Sequence, residues 1–134
     1  MISWVLATCL AMAACGNKVN TPSDDKVPLG REFTLAVGQS AVVDDEVRLT
    51  LKAVSDDSRC PVDVTCVWEG DAKVSVEVIT PTPRAEHELH TSGRFDREAK
   101  HGAYRVTLVK LEPAPRSTTT ISSGDYRATL VVVR

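Results

Sequence analysis

VRLTLKA, residues 47–53, is the stretch of the chain that decides its fold. Apolar side chains occupy every second position of this stretch, and polar or charged side chains lie between them. A period of two is typical of a β-strand that buries one face and exposes the other to water. The same alternation recurs at residues 72–78, 104–108 and 126–132. The chain is therefore expected to consist largely of half-buried strands.

The spacing of these segments indicates how the strands are assembled. With the shorter runs at residues 33–37 and 41–43 and a short strand expected at residues 86–90, strands recur at intervals of about ten residues, and no long stretch has a helical period. Valine is the commonest apolar residue and aromatic residues make up only 4% of the chain, which favours strands because β-branched side chains fit a pleated surface. We predict an all-β fold, an antiparallel β-sandwich that is immunoglobulin-like in outline and has six to eight strands.

Two shorter patterns refine this prediction. GDYRA, residues 124–128, looks like the tyrosine corner of immunoglobulin-like domains. Residues 96–100 are expected to form one helical turn, which Gly102 ends. The remaining connections are rich in turn residues.

The N-terminal residues have the features of an export signal. Residues 2–14, ISWVLATCLAMAA, form an apolar run that is shorter than the roughly 20 residues of a membrane-spanning helix and suits a secretory signal peptide. MAAC, residues 12–15, resembles a bacterial lipobox, whose cysteine is lipidated. Met12 stands where leucine is usual, and no Lys or Arg precedes the apolar run. An ordinary cleaved signal peptide with an incidental cysteine is the alternative.

These features predict the domain organisation and the location. Residues 1–14 would be the signal peptide, residues 15–30 a flexible tether that starts at a lipidated Cys15, and residues 31–134 a single β-sandwich domain. The lipid would attach the protein to a membrane of the bacterial cell envelope. Because Gly16, and not an aspartate, follows the lipidated cysteine, we expect the outer membrane, facing the periplasm, rather than the inner membrane.

The four cysteines are then accounted for. Cys9 would leave with the signal peptide and Cys15 would carry the lipid, so Cys60 and Cys66 remain. Export places this pair in an oxidising compartment, where disulfides persist, and such a bridge stabilises a domain by roughly 2 kcal/mol. A zinc site would need further ligands close by, and thiol redox enzymes use a shorter C-x-x-C spacing. We predict a Cys60–Cys66 disulfide.

Three histidines, His87, His90 and His101, suggest a metal site. If residues 86–90 form a strand, His87 and His90 point to opposite faces because their spacing is odd. His87 would then lie near the edge of the core beside Leu89, and His90 would face water. We therefore predict no metal site and no cofactor.

Other chemistry is also absent from the sequence. The chain has neither a G-x-S-x-G nucleophile motif nor a glycine-rich phosphate loop. Its net charge is −2 and both signs are mixed along it, whereas nucleic-acid binding needs clustered Lys and Arg. We predict that the protein is not an enzyme and does not bind nucleic acid.

Four residues beside the expected bridge are candidates for binding a partner: Arg59, Trp68, Glu69 and Asp71. Tryptophan and arginine supply much of the binding energy at interfaces, and a disulfide reduces the entropy that a loop loses on binding. In the alternative, which the sequence favours, Trp68 packs inward as the plug of a core poor in aromatics. Arg59 then pairs with Asp57 or Asp71.

DSRCP, residues 57–61, and CVWEGDA, residues 66–72, together resemble a motif of small bacterial lipoproteins of unassigned function. FTLAVG at residues 33–38 and DY at residues 125–126 extend the resemblance over most of the chain after the tether. The resemblance implies a lipid-anchored β domain with a disulfide loop. It implies no activity, substrate or catalytic residue.

The sequence therefore supports three functional hypotheses. The first is a lipid-anchored binding or structural module of the cell envelope, without catalytic activity, whose partner is another envelope protein or a glycan. The second is a protease or hydrolase inhibitor that presents loops from a rigid sandwich. The third is a periplasmic metal carrier that uses His87, His90 and His101.

Overall fold

The computed structural model describes residues 26–81 and 84–134. The predicted signal peptide, Cys15 and residues 15–25 of the tether lie outside the described residues. No helix of the described part is long and apolar enough to cross a membrane. The described chain contains nine strands and one short 3-10 helix, in this order: β1 (Lys26–Val27), β2 (Phe33–Ala36), β3 (Ser40–Val43), β4 (Val47–Ser55), β5 (Lys73–Ile79), β6 (Ala85–His90), β7 (Glu98–His101), β8 (Tyr104–Glu112), the 3-10 helix (Ser123–Asp125) and β9 (Arg127–Val133).

The strands form two sheets. One sheet has five strands in the order β1-β3-β4-β5-β6, and the other has four in the order β2-β9-β8-β7. Every strand pair is antiparallel except β1 with β3, which is parallel. The predicted all-β sandwich is confirmed. The nine strands exceed the predicted six to eight, because β1 and β7 are short and lack a clear alternating pattern.

The core lies between the two sheets and consists of aliphatic side chains. Val47, Leu49 and Leu51 of β4 are fully buried, while Arg48, between the first two, and Lys52, after the third, are exposed. Burying each such side chain stabilises the fold by about 1.5–3 kcal/mol relative to leaving it in water. The facing sheet contributes a matching set, which is Val106, Leu108, Leu111, Ala128, Leu130 and Val132.

A β-bulge ends the alternation in β4. The pairing of β4 with β5 shifts register between Leu51 and Ala53. Ala53, which the period of two places on the buried face, is exposed, and Val54 packs against the core instead. An extra residue in one strand reverses the facing of all residues that follow it.

Residues 26–30, predicted as part of the tether, belong to the sandwich. Val27 pairs with Val43 in register, and Gly30 N donates a hydrogen bond to Val132 O at 2.8 Å. Val27 and Leu29 both pack against the core. Burial of these two apolar side chains is the reason that residues 26–30 belong to the sandwich together with the residues from 31 onward.

The predicted helical turn at residues 96–100 is wrong. Glu98–His101 is strand β7, which pairs with β8, and Gly102 adopts φ 58° in the two-residue turn between them. Ala99 and His101 turn toward the core while Lys100 stays exposed. Pairing with β8 therefore decides the structure of this segment over its local helical propensity.

Three long connections meet at one end of the sandwich, which we call the loop end: residues 56–72, 91–97 and 113–126. Backbone hydrogen bonds join the first connection to the other two. Thr91 N donates to Ala72 O at 3.2 Å, and Val62 N donates to Pro115 O at 2.9 Å. The loop end is thus one continuous surface built from three segments.

The opposite end of the sandwich, which we call the hairpin end, has tight turns at residues 44–46 and 102–103. Tyr104 Oη donates to Glu46 Oε2 at 2.6 Å and joins these turns. The first described residue lies at this end, because Lys26 Nζ is 2.8 Å from Asp45 Oδ1. Lys26 and the loop end are therefore on opposite sides of the domain.

Candidate interaction surface at the cysteine loop

The cysteine loop, residues 56–72, is closed by the predicted disulfide between Cys60 and Cys66, which the structure confirms with Cα atoms 5.9 Å apart. The two arms of the loop pair with each other. Ser58 N donates to Asp71 O at 2.7 Å, and Cys60 N donates to Glu69 O at 2.9 Å. The loop is therefore a braced hairpin and not a free coil.

Gly70 permits the close approach of the two arms. It adopts φ 70°, and a Cβ at this position would lie 1.8 Å from Ser58 O. Only glycine lacks the side chain that would collide there, and only glycine adopts this φ without strain.

A half-buried ion pair fastens the base of the cysteine loop to the sandwich. Arg59 Nε and Nη2 donate to the two carboxylate oxygens of Asp57, each at 2.8 Å. The same guanidinium donates to Leu111 O at 2.9 Å and to Pro113 O at 3.0 Å. Arg59, a predicted partner-binding residue, therefore has a structural role, and the expectation that it pairs with Asp57 is confirmed.

Tyr126 completes this network. Its Oη donates to Asp57 Oδ2 at 2.8 Å, whereas the hydroxyl of a tyrosine corner donates to backbone a few residues upstream. The likeness of residues 124–128 to a tyrosine corner is therefore local, and the side-chain contact is different. Burial alone raises the pKa of Asp57, but hydrogen bonds from Arg59 and Tyr126 and the charge of Arg59 lower this pKa below 3.8 overall. Asp57 is thus held as a carboxylate.

A second polar network joins the cysteine loop to residues 91–97. Asp71 Oδ2 lies 2.6 Å from His90 Nδ1, and Ser92 N donates to Asp71 Oδ1 at 3.0 Å. Ser92 is buried, and its hydroxyl donates to Glu69 Oε1. Burial raises the pKa of Asp71, but the bonds from His90 and Ser92 outweigh it and lower this pKa below 3.8. Both arms of the loop are therefore held by charged groups.

This network does not activate a nucleophile. A serine–histidine–carboxylate site requires the serine hydroxyl at the free imidazole nitrogen. Here His90 Nε2 lies 3.1 Å from Glu88 Oε1, and Ser92 donates to Glu69. The arrangement fixes the shape of the loop, and its polar groups are occupied with one another.

Exposed apolar side chains are concentrated at the loop end. Among the described residues, five large apolar side chains are exposed, with fractions from 45% to 91%: Val62, Val64, Val67, Trp68 and Phe95. Four belong to the cysteine loop and the fifth to the adjoining turn. Exposed large apolar side chains that cluster in one patch mark interaction sites in soluble domains.

The expectation that Trp68 plugs the core is wrong. Its side chain is 64% exposed, because residues 62–69 are all at the surface and the interior is filled by Leu and Val. The braced arms of the loop hold the segment that carries Trp68 outside the sheets.

A groove of about 190 Å³ runs beside Trp68. Glu69 and Asp71 of the cysteine loop line it, together with Arg94 and Phe95 of the turn at residues 91–97. Cζ of Arg94 lies 4.5 Å from the centroid of the Trp68 ring. The Phe95 ring is 5.0 Å from the His90 ring, which braces the opposite wall.

The structure brings three of the four predicted binding residues together in this groove: Trp68, Glu69 and Asp71. It adds Ser92, Arg94 and Phe95, which sequence reasoning missed because the turn at residues 91–97 is far from the cysteine loop along the chain. A phenylalanine within the polar stretch SGRFDRE was the available signal. Phe95 lies in no strand, and its side chain is exposed.

The three histidines do not converge. His87 Nε2 lies 3.1 Å from His101 Nδ1, and His101 Nε2 lies 3.0 Å from Thr80 Oγ1, whereas His90 pairs with Asp71. Burial and the neighbouring His101 lower the pKa of His87 below 6.5. Within residues 26–81 and 84–134, no group of three or more His, Cys, Asp or Glu side chains is placed to hold a metal ion.

Comparisons with protein-family models, with curated proteins and with solved structures find no match to this chain.

Proposed function

We propose that this protein is a non-catalytic binding module of the bacterial cell envelope, held at a membrane by a lipid on Cys15, that binds another envelope protein through the cysteine loop. The observation that carries the proposal is the concentration of exposed apolar side chains on a braced surface. The motif resemblance and the apolar N-terminal run support the location.

The energetics of the loop favour binding. Tryptophan is among the residues whose truncation at an interface costs most, commonly 2 kcal/mol or more. Trp68 keeps 64% of its surface available for a partner. The disulfide and the Asp57–Arg59 ion pair hold the loop in one shape, so little further ordering is needed when a partner binds.

The chemistry of the patch favours a protein over a glycan. Val62, Val64 and Val67 offer aliphatic surface without hydrogen-bonding groups, and two of the groove's polar side chains, Asp71 and Ser92, are occupied by internal bonds. A sugar would need free donors and acceptors, whereas an apolar protein surface gains from burying the valines.

Site-specific photo-crosslinking in the native host tests this proposal. A photoreactive phenylalanine analogue replaces Val67 in the full chain, and a matched variant carries it at Lys52, an exposed position on β4 outside the loop end. We expect a protein adduct of defined mass from position 67, none from position 52, and loss of the adduct when Trp68→Ala is added.

The Trp68→Ala chain must remain folded for this comparison. Because Trp68 is exposed, its truncation should change the free energy of unfolding by no more than about 0.5 kcal/mol, which a thermal melt checks. Equal adducts from both positions, or no protein adduct from position 67, would contradict the proposal.

One observation favours the inhibitor as a second candidate. Val67 is 91% exposed beside a disulfide-bonded cysteine, and a small apolar side chain on a rigid loop suits a protease with a small apolar specificity pocket. Inhibition of an elastase-type protease by the full chain, abolished by Val67→Asp and retained by Lys52→Asp, would support it. If the full chain does not inhibit such a protease, the inhibitor is ruled out as a candidate and the binding module remains.

A further inference from the structure

Resting on the proposed function, we infer that the groove between Trp68 and Phe95 binds an arginine side chain of the partner protein, which takes the place that Arg94 occupies on the Trp68 ring. The inference names the chemistry of the partner at the centre of the interaction surface.

The Trp68 ring already holds a guanidinium. Cζ of Arg94 lies 4.5 Å from the ring centroid, within the distance at which a cation is attracted to an aromatic face. Among the described residues, no carboxylate forms an ion pair with Arg94, although its backbone N–H donates a hydrogen bond to Ser92 Oγ at 3.2 Å. Its side chain is therefore placed by the ring alone and can leave at small cost.

The charge of the cysteine loop suits a cationic guest. The loop contains one basic residue, Arg59, and five acidic ones, which are Asp56, Asp57, Asp63, Glu69 and Asp71. Arg59 neutralises Asp57, Lys73 pairs with Asp56 at 3.2 Å and His90 contacts Asp71.

Glu69 is a carboxylate of the groove whose charge no basic side chain of the described residues neutralises. It is exposed, follows Trp68 directly in the chain, and forms no ion pair with a basic side chain of the described residues. Its carboxylate accepts a hydrogen bond from Ser92 Oγ at Oε1. A guanidinium on the Trp68 face would find this carboxylate on the same groove wall.

The geometry selects arginine over other guests. A planar guanidinium stacks on an aromatic ring and donates to a carboxylate at the same time, whereas an ammonium is a compact and strongly hydrated charge. An anionic guest would meet the carboxylate of Glu69. Apolar side chains next to the partner's arginine would contact Phe95 and Val67, both of which are exposed.

Arg94 then acts as a built-in competitor. An exposed cation–ring contact of the usual strength reduces the affinity for a competing cation about two- to five-fold. Removal of the Arg94 side chain should therefore strengthen binding of an arginine-containing probe, whereas removal of a residue that contacts the probe directly should weaken it. The opposite signs distinguish the two roles.

The test measures tryptophan fluorescence of the full chain in detergent micelles. Trp4→Phe is introduced, because the chain has two tryptophans and Trp68 must be the reporter. The probes are the blocked tripeptide Leu-Arg-Leu and its citrulline analogue, Leu-citrulline-Leu, which keeps the size and planar shape of arginine but has a carbonyl oxygen in place of one NH2 group and lacks the charge. We expect the arginine peptide to bind and the citrulline peptide to bind at least five-fold more weakly.

Three variants sharpen the result. Arg94→Ala should tighten binding of the arginine peptide two- to five-fold, and Glu69→Gln should weaken it by a similar factor. Arg84→Ala is the matched control, since it removes the same charge from an exposed arginine that lies next to β6 at its hairpin end, away from the groove. It should leave the affinity unchanged.

Equal binding of the two peptides, or weaker binding by Arg94→Ala, would overturn the inference. So would quenching of Trp68 by a soluble oligosaccharide of N-acetylglucosamine but by neither peptide, which would assign the groove to a glycan. If crosslinking from position 67 succeeds while the arginine and citrulline peptides bind alike, the proposed function stands and this inference alone fails.

Discussion

Gly70 is the single residue on which the shape of the cysteine loop most depends. Its positive φ and its distance to Ser58 O leave no room for a side chain. The neighbouring bonds of the loop arms, from Ser58 N and Cys60 N, can form only at this separation. The conformation of one glycine thus determines where Trp68 is presented.

We expect Gly70→Ala to destabilise the protein strongly. The left-handed conformation alone costs a non-glycine residue about 1–3 kcal/mol, and the collision with Ser58 adds to it. Gly38→Ala is the matched control, because Gly38 has φ 88° but open space around it. Denaturant unfolding of both variants measures the difference, and an equal loss of stability in the two would contradict the role of the close approach.

At the scale of single residues, the sequence predicted which residues pair with each other better than it predicted whether a side chain is buried. The pairing of Cys60 with Cys66 and of Arg59 with Asp57 followed from residue type and short separation. The position of Trp68 could not be obtained in this way. Whether a tryptophan is buried depends on whether other side chains already fill the core. Here the aliphatic side chains of the two sheets fill it, and this follows from how the sheets pack together and not from the sequence around Trp68.

At the scale of elements, the edge strands β6 and β7 differ from the other strands because a contact between two histidines connects them. Each is the last strand of its own sheet. A hydrogen bond between His87 Nε2 and His101 Nδ1, 3.1 Å apart, connects the two strands at the edge of the domain. In this hydrogen bond one ring donates and the other accepts, so the contact requires that at least one ring be neutral.

Acidification should therefore weaken the contact between β6 and β7. Because the pKa of His87 in the folded protein is below 6.5, the unfolded chain takes up a proton that the folded chain does not as the pH falls past 6.5. The contribution of His87 to the free energy of unfolding is therefore complete above pH 6.5. It decreases as the pH falls below this value, until the imidazole of the folded protein also becomes protonated. Thermal melts between about pH 7 and pH 5 measure the decline.

Variants assign this decline to its residue. His87→Gln should flatten the pH dependence of Tm in this range, whereas His90→Gln, which alters a histidine at the loop end, should retain the fall. A decline that persists unchanged in His87→Gln would show that another group is responsible.

The elements that the sequence predicted are those whose own side chains alternate. Strands β4, β5, β8 and β9 carry the pattern, and it predicted them correctly. It did not predict the bulge after Leu51, because an inserted residue leaves the composition of a strand unchanged. It also missed β7, because a four-residue edge strand gains its structure from the pairing with β8 and not from its own pattern.

At the scale of the whole molecule, the disulfide stabilises a surface more than it stabilises the core. Cys60 and Cys66 lie in the loop, outside both sheets. We expect replacement of both by serine to lower the free energy of unfolding by about 2 kcal/mol and to leave the β-sheet signal in circular dichroism intact.

Partner crosslinking from position 67 should fall more steeply than stability in this double variant, since the loop would then have to be ordered on binding. The comparison is made at a temperature where both proteins are fully folded. Loss of the sheet signal, or undiminished crosslinking, would contradict a role of the disulfide in holding the surface.

The groove is the feature that the sequence could least predict. Its walls come from the cysteine loop and from residues 91–97, and only the order of strands in the two sheets brings these segments to the same end. The sequence singled out the half that contains Trp68, because cysteine and tryptophan are unusual in this composition. It left out Arg94 and Phe95, because the importance of these residues depends on which residues of the cysteine loop lie opposite them in the groove.

The position of the Lys26–Asp45 ion pair at the hairpin end has a steric consequence. Lys26 lies beside Asp45, while the groove is at the far end of strands that are about 30 Å long. A partner docked over Trp68 would therefore leave Lys26 and Asp45 uncovered. A fluorophore or a surface linkage placed at the hairpin end would not compete with the partner for the same space.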